Sequence, residues 1–326
     1  MCSSWENFRY GKTKKPDVKE FEKDLKNNLN ALQKELKTQT YVHSPYTTFF
    51  VKDPKLRKIN KACVRDRVVH HAVFSKLYPI FDRAFIFDSY SCRIDKGTHR
   101  AVRRLHDFFR KESRNNSRQV YVLKCDVRKF FDSIDQDILM GLLRRRVKDS
   151  GVLWLLDQII KSFSSGLPLG NITSQLFSNI YLNELDIFIK HDLQVKYYIR
   201  YCDDFVILRA NQQYLEDLIP GINDFLKTRL KLSLHPNKVI IRPYRQGIDF
   251  LGYVSFPNHT ALRLKTKKRM FKKMALKHKS LAVGEVTKKH FMQTLQSYLG
   301  MLKHCNAYKV IKELQAQYGE YVKIKQ

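Results

Sequence analysis

The chain has 326 residues, 43% of them hydrophobic, which suits a globular protein of two or three subdomains and excludes a disordered chain. Lys and Arg number 61 against 31 Asp and Glu, a net charge of +30, and a surplus of that size points to a polyanionic partner, nucleic acid above all. The six cysteines are scattered, form no CxxC pair and no zinc-spaced Cys/His set, and read as free thiols of a reducing compartment.

The densely charged first thirty residues carry no signal-peptide pattern. Residues 17–40 place Phe21, Leu25, Leu29, Leu32 and Leu36 at helical spacing, an amphipathic helix. Val64–Phe81 reads as a second helix that stops near Pro79. His70 and His71 are adjacent, cannot share a helix face, and read as packing or polar surface residues. QVYVLKCD, Gln119–Asp126, alternates as a strand, and Asp135–Arg146 reads as a helix ending in three arginines. The longest charge-free run, Ser162–Asn183, holds Pro168, two glycines and many amides and hydroxyls, so it does not read as a membrane span. The expected setting is therefore cytoplasmic, with no membrane partner.

After Gly170 the spacing predicts a helix capped by Thr173 or Ser174, with apolar positions at Leu176, Phe177, Ile180, Tyr181 and Leu185. VKYYIRY and FVILRA flank Asp203-Asp204 and predict a β-hairpin with two carboxylates at its turn. Gln212–Leu230 reads as helical, interrupted at Pro220-Gly221. LSLHPNKVIIRP and IDFLGYVSF add short strands. Residues 256–326 read as a helical tail with 16 Lys/Arg against 3 Glu.

Asp126 ends one predicted strand, and Asp203 and Asp204 sit at the turn of another. If those strands are neighbours, three carboxylates meet at one sheet edge and repel by on the order of several kcal/mol. Either raised pKa values or bound cations must relieve this. Hard oxygen ligands suit Mg²⁺, and two such ions about 4 Å apart serve in-line phosphoryl displacement. A negative seat in a positive groove is then a seat for the ions that do chemistry on nucleic acid.

The order of motifs resembles that of reverse transcriptases. YCDD looks like their YxDD box, and LKCDVRKFFDSID like their first catalytic motif. GLPLGNITSQLFSNIYLNELD resembles the motif that supports template and incoming nucleotide. LSLHPNK and DFLGY resemble the two that follow. GNITSQ, SWENF (Ser4–Phe8), DPKLRKI (Asp53–Ile59), RDRVVHHAV (Arg65–Val73) and SYSCRIDKGTHRA (Ser89–Ala101) are similar to the reverse transcriptases of diversity-generating retroelements. No endonuclease, maturase-type extension, zinc domain or retron NAxxH and VTG signature is found. Cys202 departs from the Met or Val usual in the box.

The resemblance implies an α+β right-hand polymerase with fingers, an antiparallel palm sheet and a helical thumb. Its expected divisions are a helical segment 1–40, fingers 41–117 and 142–168, palm 118–141 and 169–254, and a basic thumb 255–326. It implies Asp126, Asp203 and Asp204 as catalytic ligands of two Mg²⁺ ions, with the Val127 carbonyl as a further contact. Phe131 is the implied steric gate against a ribose 2′-hydroxyl. Arg57 is the implied triphosphate clamp, with Lys55 a second candidate, and Lys238 the group facing leaving pyrophosphate. Gly170 and Gln175 belong to the nucleotide floor. Leu169 stands where many relatives have Gln, so a polar check on the nascent pair is missing, which fits error-prone copying at template adenines. Lys267, Lys268, Arg269, Lys272 and Lys273 would grip the nucleic-acid backbone.

The implied partners are RNA template, DNA primer or cDNA, deoxynucleoside triphosphates and a small basic accessory protein oligomer. The implied activity is RNA-directed DNA synthesis, error-prone and adenine-mutagenic, on a template-repeat RNA. A related bacterial reverse transcriptase of phage defence is the alternative within the class. A non-catalytic RNA-binding scaffold is the alternative outside it, which the three aspartates argue against.

Overall fold

The computed structural model describes residues 1–52 and 55–321. Asp53 and Pro54, at the head of DPKLRKI, and the last five residues of the expected thumb lie outside them. In chain order come α1 (Cys2–Arg9), α2 (Pro16–Lys23), α3 (Leu25–Lys37), β1 (Thr47–Val51), β2 (Arg57–Lys61), α4 (Val64–Asp82) and α5 (Thr98–Glu112). Then follow β3 (Tyr121–Asp126), α6 (Phe130–Ser133), α7 (Gln136–Arg146), α8 (Ser150–Lys161), α9 (Ile172–Ile187), β4 (Tyr198–Tyr201), β5 (Asp204–Arg209) and α10 (Gln212–Leu230). The chain continues with β6 (Ile240–Pro243), β7 (Ile248–Phe250), β8 (Tyr253–Ser255), β9 (Thr260–Leu262), α11 (Leu264–Ala282), α12 (Lys288–Leu302) and α13 (Tyr308–Tyr318). This is the expected α+β mixture.

Two compact units are present. The first comprises 1–96, 124–206 and 217–239; the second comprises 97–123, 207–216 and 240–326. A four-stranded sheet has the order β4-β5-β3-β6, so β5, which begins at Asp204, lies beside β3, which ends at Asp126. β1 and β2 form a separate antiparallel hairpin, and β7-β8-β9 an antiparallel sheet in the second unit.

In the first unit α9 is the central helix. It buries Leu176, Phe177, Ile180, Tyr181, Leu182 and Leu185, as its spacing predicts, and packs against α4 and α7. Trp5 and Phe8 of α1 are buried against α4, with Trp5 stacked on Phe21 at 5.3 Å. In the second unit Met270 and Met274 of α11 pack with Phe291, Leu295, Leu302 and Leu314, which leaves the lysines of α11 on the solvent side.

Several expected boundaries differ. The helix over 17–40 is two helices, because Asp24 at φ −128° and ψ 48° breaks the register. α4 runs through Pro79 to Asp82, and α10 runs through Pro220 without interruption. Both prolines are exposed, so the carbonyl each deprives of a donor is on the wet side of its helix. α9 starts at Ile172 with Asn171 at the cap position, rather than at Thr173 or Ser174. β9 interrupts the start of the expected helical tail. No helix among the described residues is long and apolar enough to cross a membrane.

Candidate functional site

The site begins with a short, tight hairpin. β4 is buried at Tyr198, Ile199 and Arg200, and β5 at Phe205–Leu208, so the turn Cys202-Asp203 is held by apolar strands on both sides. Cys202 takes the left-handed conformation, φ 56°, which an unbranched residue tolerates better than the β-branched ones around it. The Val127 amide donates to the Asp203 carbonyl at 3.2 Å, which fixes the turn beside the end of β3. Asp126, Asp203 and Asp204 are thereby brought together from two neighbouring strands.

Their electrostatics show the crowding. Burial, and then the charge of Asp126, raises the Asp203 carboxyl above its ordinary range. Burial pushes Asp204 up to about 6; Lys124 pulls the other way, and Asp203 and Asp126 push further up. Lys238 Nζ donates to Asp126 Oδ1 at 2.7 Å, and Lys124 Nζ lies 4.0 Å from Asp204 Oδ1. Cation and carboxylate are thus already paired around the turn. Among the described residues no three His, Cys, Asp or Glu side chains are gathered closely enough to hold a metal ion. Val127 is buried.

The residues expected at the nucleotide floor lie where α9 begins. The Asn60 amide donates to the Leu169 carbonyl at 2.9 Å. The Asn171 side-chain amide donates to the Asn60 carbonyl at 3.0 Å, and its oxygen accepts from the Ala62 amide at 3.4 Å. Asn171 therefore cannot cap α9 with its own side chain. Between them Gly170, at φ +117°, faces β2 so closely that a Cβ would stand 2.8 Å from Ile59 Cγ2. Gln175, one turn into α9, is exposed, and Leu169 is half-exposed.

Thr173, the expected cap, is spent on a buried relay. His43 Nδ1–H donates to the Ser44 carbonyl at 2.6 Å, which leaves His43 Nε2 to accept from His70 Nε2–H at 3.1 Å. His70 Nδ1 then accepts from the Thr173 hydroxyl at 2.5 Å. Burial drives His70 down to about 3, as this neutral relay requires.

Phe131 lies half-buried on α6, ring edge against Phe130 at 5.3 Å, and its carbonyl accepts from Leu167 at 2.8 Å. Arg57 opens β2 and is exposed, as is Lys55. Lys267, Lys268, Arg269, Lys272 and Lys273 belong to α11 in the second unit; Lys267 pairs with Glu313 at 2.9 Å, and the other four are exposed.

Sequence reasoning missed Arg200. Fully buried, it donates through Nε and Nη2 to both oxygens of Asp186, at 2.7 and 2.5 Å, and through Nη1 to the Cys202 carbonyl at 3.1 Å. Tyr198 donates to the same carboxylate at 2.7 Å. A charge inside an otherwise apolar strand was the available signal, since a buried guanidinium must have a carboxylate partner.

Residues 51–255 match the family described as reverse transcriptase (RNA-dependent DNA polymerase). Protein YkfC of Escherichia coli K12 is 27% identical over 269 residues, covering 69% of this chain and 70% of YkfC. The group II intron-encoded protein LtrA of Lactococcus lactis subsp. cremoris is 23% identical over 293 residues, covering 67% of this chain and 48% of LtrA. Among solved structures, telomerase of Candida tropicalis in complex with a TWJ fragment of telomeric RNA matches with TM-score 0.54 at 11% identity, over 91% of this chain and 59% of that one. Telomerase of Candida albicans matches with TM-score 0.53 at 11% identity, over 87% and 57%. The chain thus spans about half to three fifths of LtrA and of the telomerase chains, and the structural likeness is one of fold. With the family matched over residues 51–255, more than half of its length, the chain belongs to the reverse transcriptases.

Proposed function

We propose that this protein is an RNA-directed DNA polymerase that adds deoxynucleotides to a primer 3′-hydroxyl on an RNA template, and that it serves a diversity-generating retroelement. The observation that carries the polymerase reading is the tie between the Asp203 turn and the end of β3, which sets Asp126 beside Asp203 and Asp204.

The donors suit a hard divalent cation: they are carboxylate oxygens, two of them raised in pKa by burial first and by the charge of their carboxylate neighbours after it. Drawn closer together than they stand here, Asp126, Asp203, Asp204 and the Val127 carbonyl would hold two Mg²⁺ ions, which would supply activation of the 3′-hydroxyl and stabilisation of the leaving pyrophosphate. The rest falls to the chain itself. Lys238 neutralises Asp126 in the absence of other cations and, from beside that carboxylate, would supply a proton or charge to the leaving pyrophosphate. Arg57 offers a fork of donors to the triphosphate from the exposed face of β2. Phe131 sets the floor under the sugar, and the Leu169–Asn171 turn supports the incoming base. The second unit's α11 follows the primer–template backbone as a thumb, and residues 118–141 and 169–254 act as palm.

The retroelement assignment is supported by GNITSQ and by Leu169 where a glutamine would check pairing geometry. It carries with it a template-repeat RNA, substitutions at template adenines and a basic oligomeric accessory protein. The test is primer extension on RNA with product sequencing. Wild type should extend, Asp203→Ala should lose at least a thousandfold while keeping its fold by circular dichroism, and errors should concentrate at template adenines. Extension by Asp203→Ala would end the polymerase reading; faithful product would favour the phage-defence enzyme.

A further inference from the structure

A cavity of about 320 Å³ in the first unit is bounded by the Gly170 turn, the start of α9 and parts of α1, β2 and α4. One wall is Gly170 and Gln175. The other is basic: Lys12, which follows α1, Lys61 at the end of β2, and Arg67 and His71, one turn apart on α4. Among the described residues no carboxylate lines it.

These cations are poorly neutralised. A single oxygen, Asp17 Oδ2, accepts from both Lys61 Nζ at 2.6 Å and Arg67 Nη2 at 2.5 Å. Among the described residues Lys12 donates to the Phe8 carbonyl alone, at 2.6 Å. Its ammonium stands 4.9 Å from the centre of the Phe8 ring, and the Arg67 guanidinium stands at the same distance, so two cations share one aromatic ring. Arg67 Nε is buried without an acceptor among the described residues. Burial and Arg67 hold Lys12 below its ordinary range, and burial, Lys12 and Arg67 push His71 down to about 4. Like charges held together in a half-buried space, with a donor left over, form a receptor for an anion.

We propose that this cavity binds a phosphodiester of the RNA template strand, an inference that rests on the polymerase reading above. The wall opposite the cations is the start of α9, the segment that supports template and nucleotide in that reading. The space admits a phosphate with its sugar and excludes a duplex. Contact there would seat the single strand before it pairs, through α1 and α4 rather than through the carboxylate site.

Fluorescence anisotropy on the full chain tests this. The probes are an RNA–DNA hybrid with a single-stranded 5′ RNA overhang and the same hybrid made blunt, each titrated across a KCl series. Lys12→Gln and Lys61→Gln should each weaken overhang binding roughly three- to tenfold and lower the salt slope by about 0.7, the loss of one single-strand phosphate contact, with blunt binding unchanged. Lys12→Arg should restore it. Overhang binding and slope unchanged in both glutamine variants, each shown folded by circular dichroism, would overturn the proposal. So would millimolar orthophosphate raising the wild-type Tm through Lys12 while overhang binding ignores Lys12, which would make this a free-anion site. Wild-type primer extension run in parallel separates the two readings. Extension without a Lys12 effect removes the template site alone; a Lys12 effect without extension removes the polymerase alone.

Discussion

Arg200 grips both carboxylate oxygens of Asp186, from strand to helix, with neither side chain exposed to solvent. Because the same guanidinium reaches the Cys202 carbonyl, the pair is also the brace of the Asp203 turn. Asp186→Asn leaves a buried guanidinium half-satisfied and should cost about 3–5 kcal/mol in urea unfolding. An Asp186→Leu, Arg200→Met double variant removes both charges and should recover much of that stability. Primer extension by the double variant should stay well below wild type, since the turn has lost its brace. Full activity would show that the pair only packs.

Lys238 competes with cations for Asp126, since its ammonium already donates to Oδ1. Lys238→Met should therefore enlarge the Tm gain produced by Mg²⁺ while lowering kcat by one to two orders of magnitude. A smaller Mg²⁺ effect on Tm would show that the lysine helps rather than opposes the ion.

Leu169 allows a clean test of fidelity. Its backbone is fixed by the Asn60 amide whatever its side chain is, so Leu169→Gln changes polarity without moving the turn. One hydrogen bond to the nascent pair is worth about 1–2 kcal/mol. Adenine misincorporation should fall roughly five- to thirtyfold in product sequencing; an unchanged spectrum would clear this position of any part in error.

His71 supplies a pH dependence. Its folded pKa, about 4, lies below the ordinary imidazole value near 6.5, so between those values the unfolded chain holds the proton and the native chain does not. Stability is thus full above about pH 6.5 and falls as pH drops toward 4. Urea midpoints at pH 7.5, 6 and 5 should decline for wild type, and less steeply for His71→Gln. Identical slopes would place the acid sensitivity elsewhere.

The placement of the carboxylates at strand ends was legible because each follows or heads a short apolar, β-branched or aromatic run, and strand ends are set by local pattern. The broad apolar face of α9 and the amphipathic α11 were legible for the same reason. Helix ends were not. Pro79 and Pro220 read as stops because a proline removes a donor, yet each stands on a solvated face where water can take the lost bond. Asp24 breaks the predicted N-terminal helix although the leucine spacing continues across it. The partners of Arg200, Asn171 and Thr173 were out of reach. Each is chosen by packing between distant segments, and no local spacing records that Asn171 faces Asn60 or that Thr173 faces His70.

The Asn60–Asn171 amide contacts have a mechanical consequence. They pin the inner end of the β1–β2 hairpin to the Gly170 turn, while Val51 and Arg57 at its outer end are exposed. The hairpin is then a lever with its fulcrum at Asn60. In the polymerase reading proposed above, a triphosphate held by Arg57 would swing the hairpin about that pinned end and press Ile59 toward Gly170, coupling the two contacts in one movement.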